Sequence, residues 1–279
     1  MMQQKDIEVG GMKYTLTQLN KHGFSVGKRP WRDDYDKKHF IIQTVNTTFD
    51  KSRFAYPHTP IVISEVGNRQ KFSHPGDIRV LDCPIKFPGS LEYRIPRDLL
   101  QFEEPIAKCV SFEHSINQNV ESYYAYLTID QGFIPEGTAQ RTPGCHVDGF
   151  QGTRYLMKKV INRSYIAYDN TPTIFYAQPF HVQYLNETIH DFYAAFDAQA
   201  KVEDEVFFDP YSILLTNAYT VHKADIANTL RYRTFFRLTY SASIYDRFGN
   251  THNPMFDYTW TMQTRDKKRL YKPFCAVAV

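Results

Sequence analysis

The chain has no CxxC pair; its four cysteines, Cys83, Cys109, Cys145 and Cys275, are scattered. That spacing argues against a thiolate metal cluster or a redox motif and fits free thiols in a reducing, cytoplasmic compartment. Cys145 has no thiolate-activating pattern around it and reads as a small packing residue. No stretch approaches the ~20 apolar residues of a membrane helix. The opening Met-Met-Gln-Gln-Lys-Asp lacks the apolar run of a signal peptide. No Ser/Gly-rich or Pro-rich linker and no internal repeat divides the chain, so its 279 residues (1–279) read as a single domain. Charge of one sign is also scarce. A net charge of +3 is too small to point to nucleic acid, which calls for basic residues gathered on one face. The one basic run, Arg265–Arg269 with Lys272 beyond, reads as a solvated segment.

Aromatic residues, by contrast, are abundant. With 20 Tyr and 21 Phe the chain can build a large core with Tyr-lined cavities. Strand signals dominate. In 121–130, Tyr124, Tyr126 and Thr128 alternate with Tyr123, Ala125, Leu127 and Ile129, a period of two. Short strands are expected at 164–168 and 173–176 around an Asp169-Asn-Thr-Pro172 turn, at 211–216, and at 233–241. One helix is expected after an Asn186 cap, with Ile189, Phe192, Tyr193, Phe196 and Ala200 on one stripe. A second covers part of 96–110, limited by Pro105, while the first 90 residues give no order. Many short strands with a few helices predict a mainly β jelly-roll or cupin-like barrel with helical support.

One triplet carries chemistry. His146-Val-Asp148 is the only His-x-Asp in the chain. Asp148-Gly149 is also a good hairpin signal, so the triplet by itself reads first as a polar turn. In an extended segment residues i and i+2 point to the same side, so His146 and Asp148 can reach one ion together. Two imidazoles and one carboxylate make the facial set that suits non-haem Fe(II). The best second histidine is His222, 76 residues later and just past the apolar strand at 211–216. Next comes "RYRTFFRLTYS", which puts Arg233 and Arg237 on one face. An arginine inside a barrel is costly unless it meets an anion, and its fork matches a carboxylate. His114, His181, His190, His22, His39, His58, His74 and His252 lack such a context and read as surface or core residues.

His-x-Asp at 146–148, "VH" at 221–222 and "RTFFRLTYS" at 233–241, in this order, resemble the Fe(II)/2-oxoglutarate-dependent oxygenases. The resemblance covers roughly residues 121–241. It implies a double-stranded β-helix, with extensions before and after the barrel. It also implies His146, Asp148 and His222 as iron ligands, and 2-oxoglutarate and O2 as co-substrates. The distal carboxylate of 2-oxoglutarate would pair with Arg233, with Arg237 as competitor; Arg237-Leu-Thr239 resembles an alternative Arg-x-Ser form, which brings Thr239 into the set. Retention of Asp148 favours hydroxylation or a related oxidation over halogenation.

The substrate is expected to be a small polar metabolite. It would meet the Tyr124, Tyr126 and Thr128 face, Gln140 and Arg141 from a lid loop at 131–145, and Phe150 and Arg154 beyond Asp148. Core packing or surface placement is the competing reading for each. Three other functions use similar residues: a cupin-type metalloenzyme independent of 2-oxoglutarate, a nucleic-acid oxygenase and a non-catalytic jelly-roll binding protein. No membrane association is expected, and oligomeric state is not readable.

Overall fold

The computed structural model describes residues 7–9, 12–14, 49–141, 143–148, 162–186 and 190–264. A short antiparallel pair, β1 (Ile7–Val9) and β2 (Met12–Tyr14), comes first. The centre is a six-stranded antiparallel sheet built from β3 (Ile61–Glu65), β4 (Ile78–Lys86), β5 (Tyr124–Ile134), β6 (Arg163–Tyr168), β9 (Ser212–Asn217) and β11 (Arg231–Ser241). Its spatial order is β3-β9-β6-β11-β5-β4. A smaller sheet, in the order β10-β7-β8, holds β7 (Thr173–Tyr176), β8 (Glu205–Val206) and β10 (His222–Ala224). The molecule is thus mainly β and antiparallel, and among the described residues the sheets do not close into one continuous barrel.

Side-chain alternation sets the layers. On β11, Phe236, Leu238 and Tyr240 join Ala125, Leu127, Ile129, Tyr165, Ala167, Ile213 and Leu215 in one buried cluster. That cluster packs under helix α2 (Glu103–Ile116), through Ile106, Cys109 and Phe112. The opposite face of the large sheet looks toward the small sheet, and Ile166, Tyr168, Leu214 and Phe235 meet Phe175 and Phe208 between them. Beyond the small sheet, Ile174 and Tyr176 pack on helix α3 (Phe192–Gln199) through Phe192, Ala195 and Phe196. Helix, large sheet, small sheet and helix therefore stack in that order, with Arg233, Arg237 and Thr239 of β11 on the Phe235 face, toward the space between the sheets.

Several expectations need correction. Strand β5 continues through Ile134, so 131–134 are paired strand residues and only the stretch after them can be loop. That loop is tied down as well: Gly137 N–H donates to Ala227 O at 2.8 Å and Ala227 N–H to Thr138 O at 2.9 Å. Helix α3 starts at Phe192, capped by Asp191, whose carboxylate accepts from the Tyr193 and Ala194 N–H groups; Asn186 is not its cap. Helix α2 runs past Val110 to Ile116. Pro105 sits in its first turn, where a missing N–H costs no intrahelical bond. The stretch before residue 90 is no mere appendage. β3 and β4 form both edges of the large sheet, and helix α1 (Arg69–Phe72) packs Phe72 into its core.

Candidate metal centre

His146 and His222 face each other as an isolated antiparallel bridge. His146 N–H donates to His222 O at 2.8 Å, and His222 N–H donates to His146 O at 2.9 Å. Exchange of both bonds defines a directly opposed pair whose side chains leave the same face. Their imidazole centroids are 4.5 Å apart. Period two then places Asp148 beside them, while Cys145 and Val147 point the other way, into the core against α3. One ligand atom from each of His146, Asp148 and His222 lies within 4.8 Å of the other two.

Both rings are oriented in the same way. His146 Nδ1 lies 2.9 Å from Gly144 O, and His222 Nδ1 lies 2.9 Å from Thr220 O. A carbonyl can only accept, so each Nδ1 carries a proton, and it is Nε2 that bears the lone pair in a neutral ring. Burial, reinforced by His146, pushes the His222 imidazole down to about 4, against the pull of Asp148, so this ring is neutral near pH 7. A neutral imidazole with a free Nε2 is the form that binds metal.

Burial pushes the Asp148 carboxyl up, but Arg237, His222, His146 and Arg141 outweigh it and hold the group well below the usual carboxylate range. Asp148 Oδ1 accepts from Arg237 Nη1 at 2.6 Å. Asp148 Oδ2 is buried and has no hydrogen-bond partner. An orphaned carboxylate oxygen beside two free imidazole nitrogens is what a divalent ion would satisfy, and the donor set suits non-haem iron.

Gly144 fixes the entry to this segment. Its φ is +87°, and a Cβ there would stand 2.9 Å from Asp197 Oδ2. Asp197 in turn accepts from Cys145 N–H at 2.7 Å. Gly144→Ala is expected to cost about 1–2 kcal/mol from the left-handed backbone alone, read as a lower midpoint in urea unfolding.

The two arginines of β11 differ in what they meet. Arg237 spans Asp148 and Asp82, reaching Asp82 Oδ1 at 2.9 Å. Asp82 was not singled out in the sequence. It sits at an irregularity in β4 pairing, with φ 45°, and Thr128 and Arg247 also hold its carboxylate. A bulge has no periodic signature, so only the register shift reveals it. Arg233 is 2% exposed. Its Nε donates to Asn170 O at 2.9 Å and its Nη1 to Gln140 Oε1 at 2.6 Å. Among the described residues it forms no ion pair with a carboxylate. Burial pushes its guanidinium down to about 10.

A small cavity is lined by the three candidate ligands together with Arg141, Ile166, Thr173, Ala224, Phe235 and Arg237. The other residues singled out in the sequence fall elsewhere. Tyr126 stacks on Tyr245, with centroids 4.2 Å apart, and Tyr124 stacks on Tyr126, under the segment that follows β11. Thr128 Oγ1 donates to Asp82 Oδ1. The hydroxyls of Thr239 and Ser164 bond to each other at 2.9 Å across the sheet. Gln140 spends its amide on Arg233, and its Nε2 donates to Asp130 O at 3.0 Å. Neither these five side chains nor Arg233 line the cavity, although Arg233 stands against Phe235, which does. Phe150 and Arg154 lie outside the described residues.

No protein-family model matches the chain, and no curated protein matches it in sequence. Among solved structures it is similar to EvdO2 from Micromonospora carbonacea var. aurantiaca, at 14% identity and a TM-score of 0.33, over 50% of this chain and 61% of that one. The same protein complexed with 2-oxoglutarate gives 15% identity and a TM-score of 0.37, over 70% and 90%. A non-haem monooxygenase, ThoJ, gives 9% identity and a TM-score of 0.27, over 49% and 56%. These likenesses are too shallow to bear on activity, which rests on the site itself. Among the described residues no helix is long and apolar enough to cross a membrane.

Proposed function

We propose that this chain is a non-haem Fe(II)/2-oxoglutarate-dependent oxygenase that oxidises a small polar molecule while 2-oxoglutarate becomes succinate and CO2. The observation that carries the reading is that ligand atoms of His146, Asp148 and His222 lie within 4.8 Å of one another, with Asp148 Oδ2 buried and without a hydrogen bond. The layered sheets, with the His146–Asp148 segment beside β10, support a double-stranded β-helix. The three buried free thiols, Cys83, Cys109 and Cys145, suit a reducing cytoplasm.

His146, Asp148 and His222 would hold Fe(II), which supplies Lewis acidity and oxygen activation when bound. Arg237 fixes Asp148 through Oδ1 and leaves Oδ2 without a hydrogen bond, available to the ion. Arg233 is the candidate for the distal carboxylate of 2-oxoglutarate, because it is buried with no carboxylate partner, whereas Arg237 already has two. Gln140 Oε1 and Asn170 O hold the Arg233 fork in place. Ile166 and Phe235 give the cavity apolar walls that exclude water.

Anaerobic titration with Fe(II) and then 2-oxoglutarate tests this reading. The expected result is a weak visible charge-transfer band that needs both, and a higher melting temperature. A ligand present at 100 times its Kd stabilises by about 2.7 kcal/mol. Oxygen uptake with iron but without 2-oxoglutarate would mark a cupin-type metalloenzyme instead. A melting temperature that neither ligand alters would leave a non-catalytic jelly roll.

A further inference from the structure

We propose that Arg141 is an anion receptor inside the metal cavity, taking a carboxylate of the molecule bound there; this rests on the oxygenase reading above. Arg141 lines the cavity beside His146, Asp148, His222 and Arg237. Its guanidinium lies over the Phe235 ring, 5.3 Å from the centroid, and Arg233 stands 5.3 Å from the same centroid. The two cations thus share one aromatic support, and while Arg233 donates to Asn170 O and Gln140 Oε1, the Arg141 fork is left to a ligand.

Arg141 lacks a proper partner. Among the described residues its one ion pair is with Asp130 Oδ2 at 3.6 Å, beyond hydrogen-bond reach, and Asp130 is already paired with Arg79. Among the described residues Arg141 donates no hydrogen bond. Yet its side chain is only 28% exposed. Burial, with Arg237 adding repulsion, pushes its guanidinium down to about 10, still charged near pH 7. A mostly buried guanidinium without a hydrogen-bonded counter-ion is expensive, and a solvated arginine would point outward instead. The cost is recovered when a carboxylate enters, because its two oxygens match the fork.

That carboxylate can come from 2-oxoglutarate or from the molecule to be oxidised, and the test separates the two. Wild type, Arg141→Gln and Arg141→Lys are each loaded anaerobically with Fe(II). They are titrated with 2-oxoglutarate and with 2-oxobutyrate, which keeps the chelating 2-oxo acid head but lacks the second carboxylate. If Arg141 holds that second carboxylate, Arg141→Gln weakens 2-oxoglutarate about tenfold or more and leaves 2-oxobutyrate unchanged, with Arg141→Lys in between. If it holds a carboxylate of the molecule to be oxidised, both 2-oxo acids bind as in wild type. A panel of carboxylic acids, screened by thermal shift on the Fe(II)–2-oxoglutarate protein, then stabilises wild type but not Arg141→Gln. A glutamine variant that matches wild type in every arm, or that loses both 2-oxo acids equally, overturns the proposal. If wild type binds neither iron nor 2-oxo acid, the oxygenase reading has failed. Succinate titrated into metal-free protein then decides Arg141 alone: binding lost in Arg141→Gln supports the receptor, and equal binding or none in both proteins overturns it.

Discussion

Asp148→Ala is expected to remove Fe(II) binding and turnover together. Loss of a partner that merely orients a metal ligand costs about 10–100-fold in metal affinity or activity, and loss of the ligand itself should exceed that range. Asp148 has two tasks. It offers a carboxylate oxygen within 4.8 Å of the histidine nitrogens, with Oδ2 left without a hydrogen bond, and its Oδ1 accepts from Arg237. Alanine therefore also leaves Arg237 Nη1 facing a gap, with Asp82, among the described residues, as the carboxylate still paired to that guanidinium. Breaking one side of a buried charge cluster destabilises by about 3 kcal/mol or more, so the metal-free variant should unfold at lower denaturant as well. Metal content after dialysis against Fe(II) and urea unfolding of the metal-free protein read the two effects separately. An Asp148→Ala protein that retains stoichiometric iron would rule out the centre as drawn.

Arg233→Ala should weaken 2-oxoglutarate by about 100-fold while leaving Fe(II) affinity close to wild type. Hydrogen bonds to charged groups contribute about 1.5–3 kcal/mol each, and each ~1.4 kcal/mol is tenfold. The expectation follows from pairing. Arg233 is buried and donates to neutral acceptors, Gln140 Oε1 and Asn170 O, and among the described residues no carboxylate bonds its fork. Arg237→Met should behave differently. It strips Asp148 Oδ1 and Asp82 Oδ1 of their shared cation, so it should lower stability and iron affinity more than the affinity for 2-oxoglutarate measured at saturating iron. Isothermal titration with 2-oxoglutarate under argon, run on both variants, compares them directly. A steeper loss in Arg237→Met than in Arg233→Ala would move the carboxylate to Arg237.

Much of this centre was legible in one dimension because covalent geometry imposes it. A strand alternates its side chains whatever its neighbours are, so His146 and Asp148 share a face, and Cys145 and Val147 take the other. The same period puts Arg233, Phe235 and Arg237 on one side of β11 and Phe236, Leu238 and Tyr240 on the core side. Composition, too, gave a mainly β chain with an aromatic core.

Other features depend on which strands become neighbours, and no local pattern encodes that. The bridge that brings His222 against His146 is a pairing across 76 residues. Asp82 reaches Arg237 only because β4 is an edge strand with a bulge at that point. Tyr124 and Tyr126 share the inward-looking face of β5, yet the segment after β11 folds over them and stacks on their rings. Gln140 looked free for substrate until the turn after β6 brought Asn170 to Arg233 and left Gln140 to complete its bonds. Side-chain direction is a property of the backbone and can be read residue by residue. The counter-ion of a buried charge is a property of the packed whole, because burial makes an unpaired charge costly and only the assembled sheets decide what stands within reach.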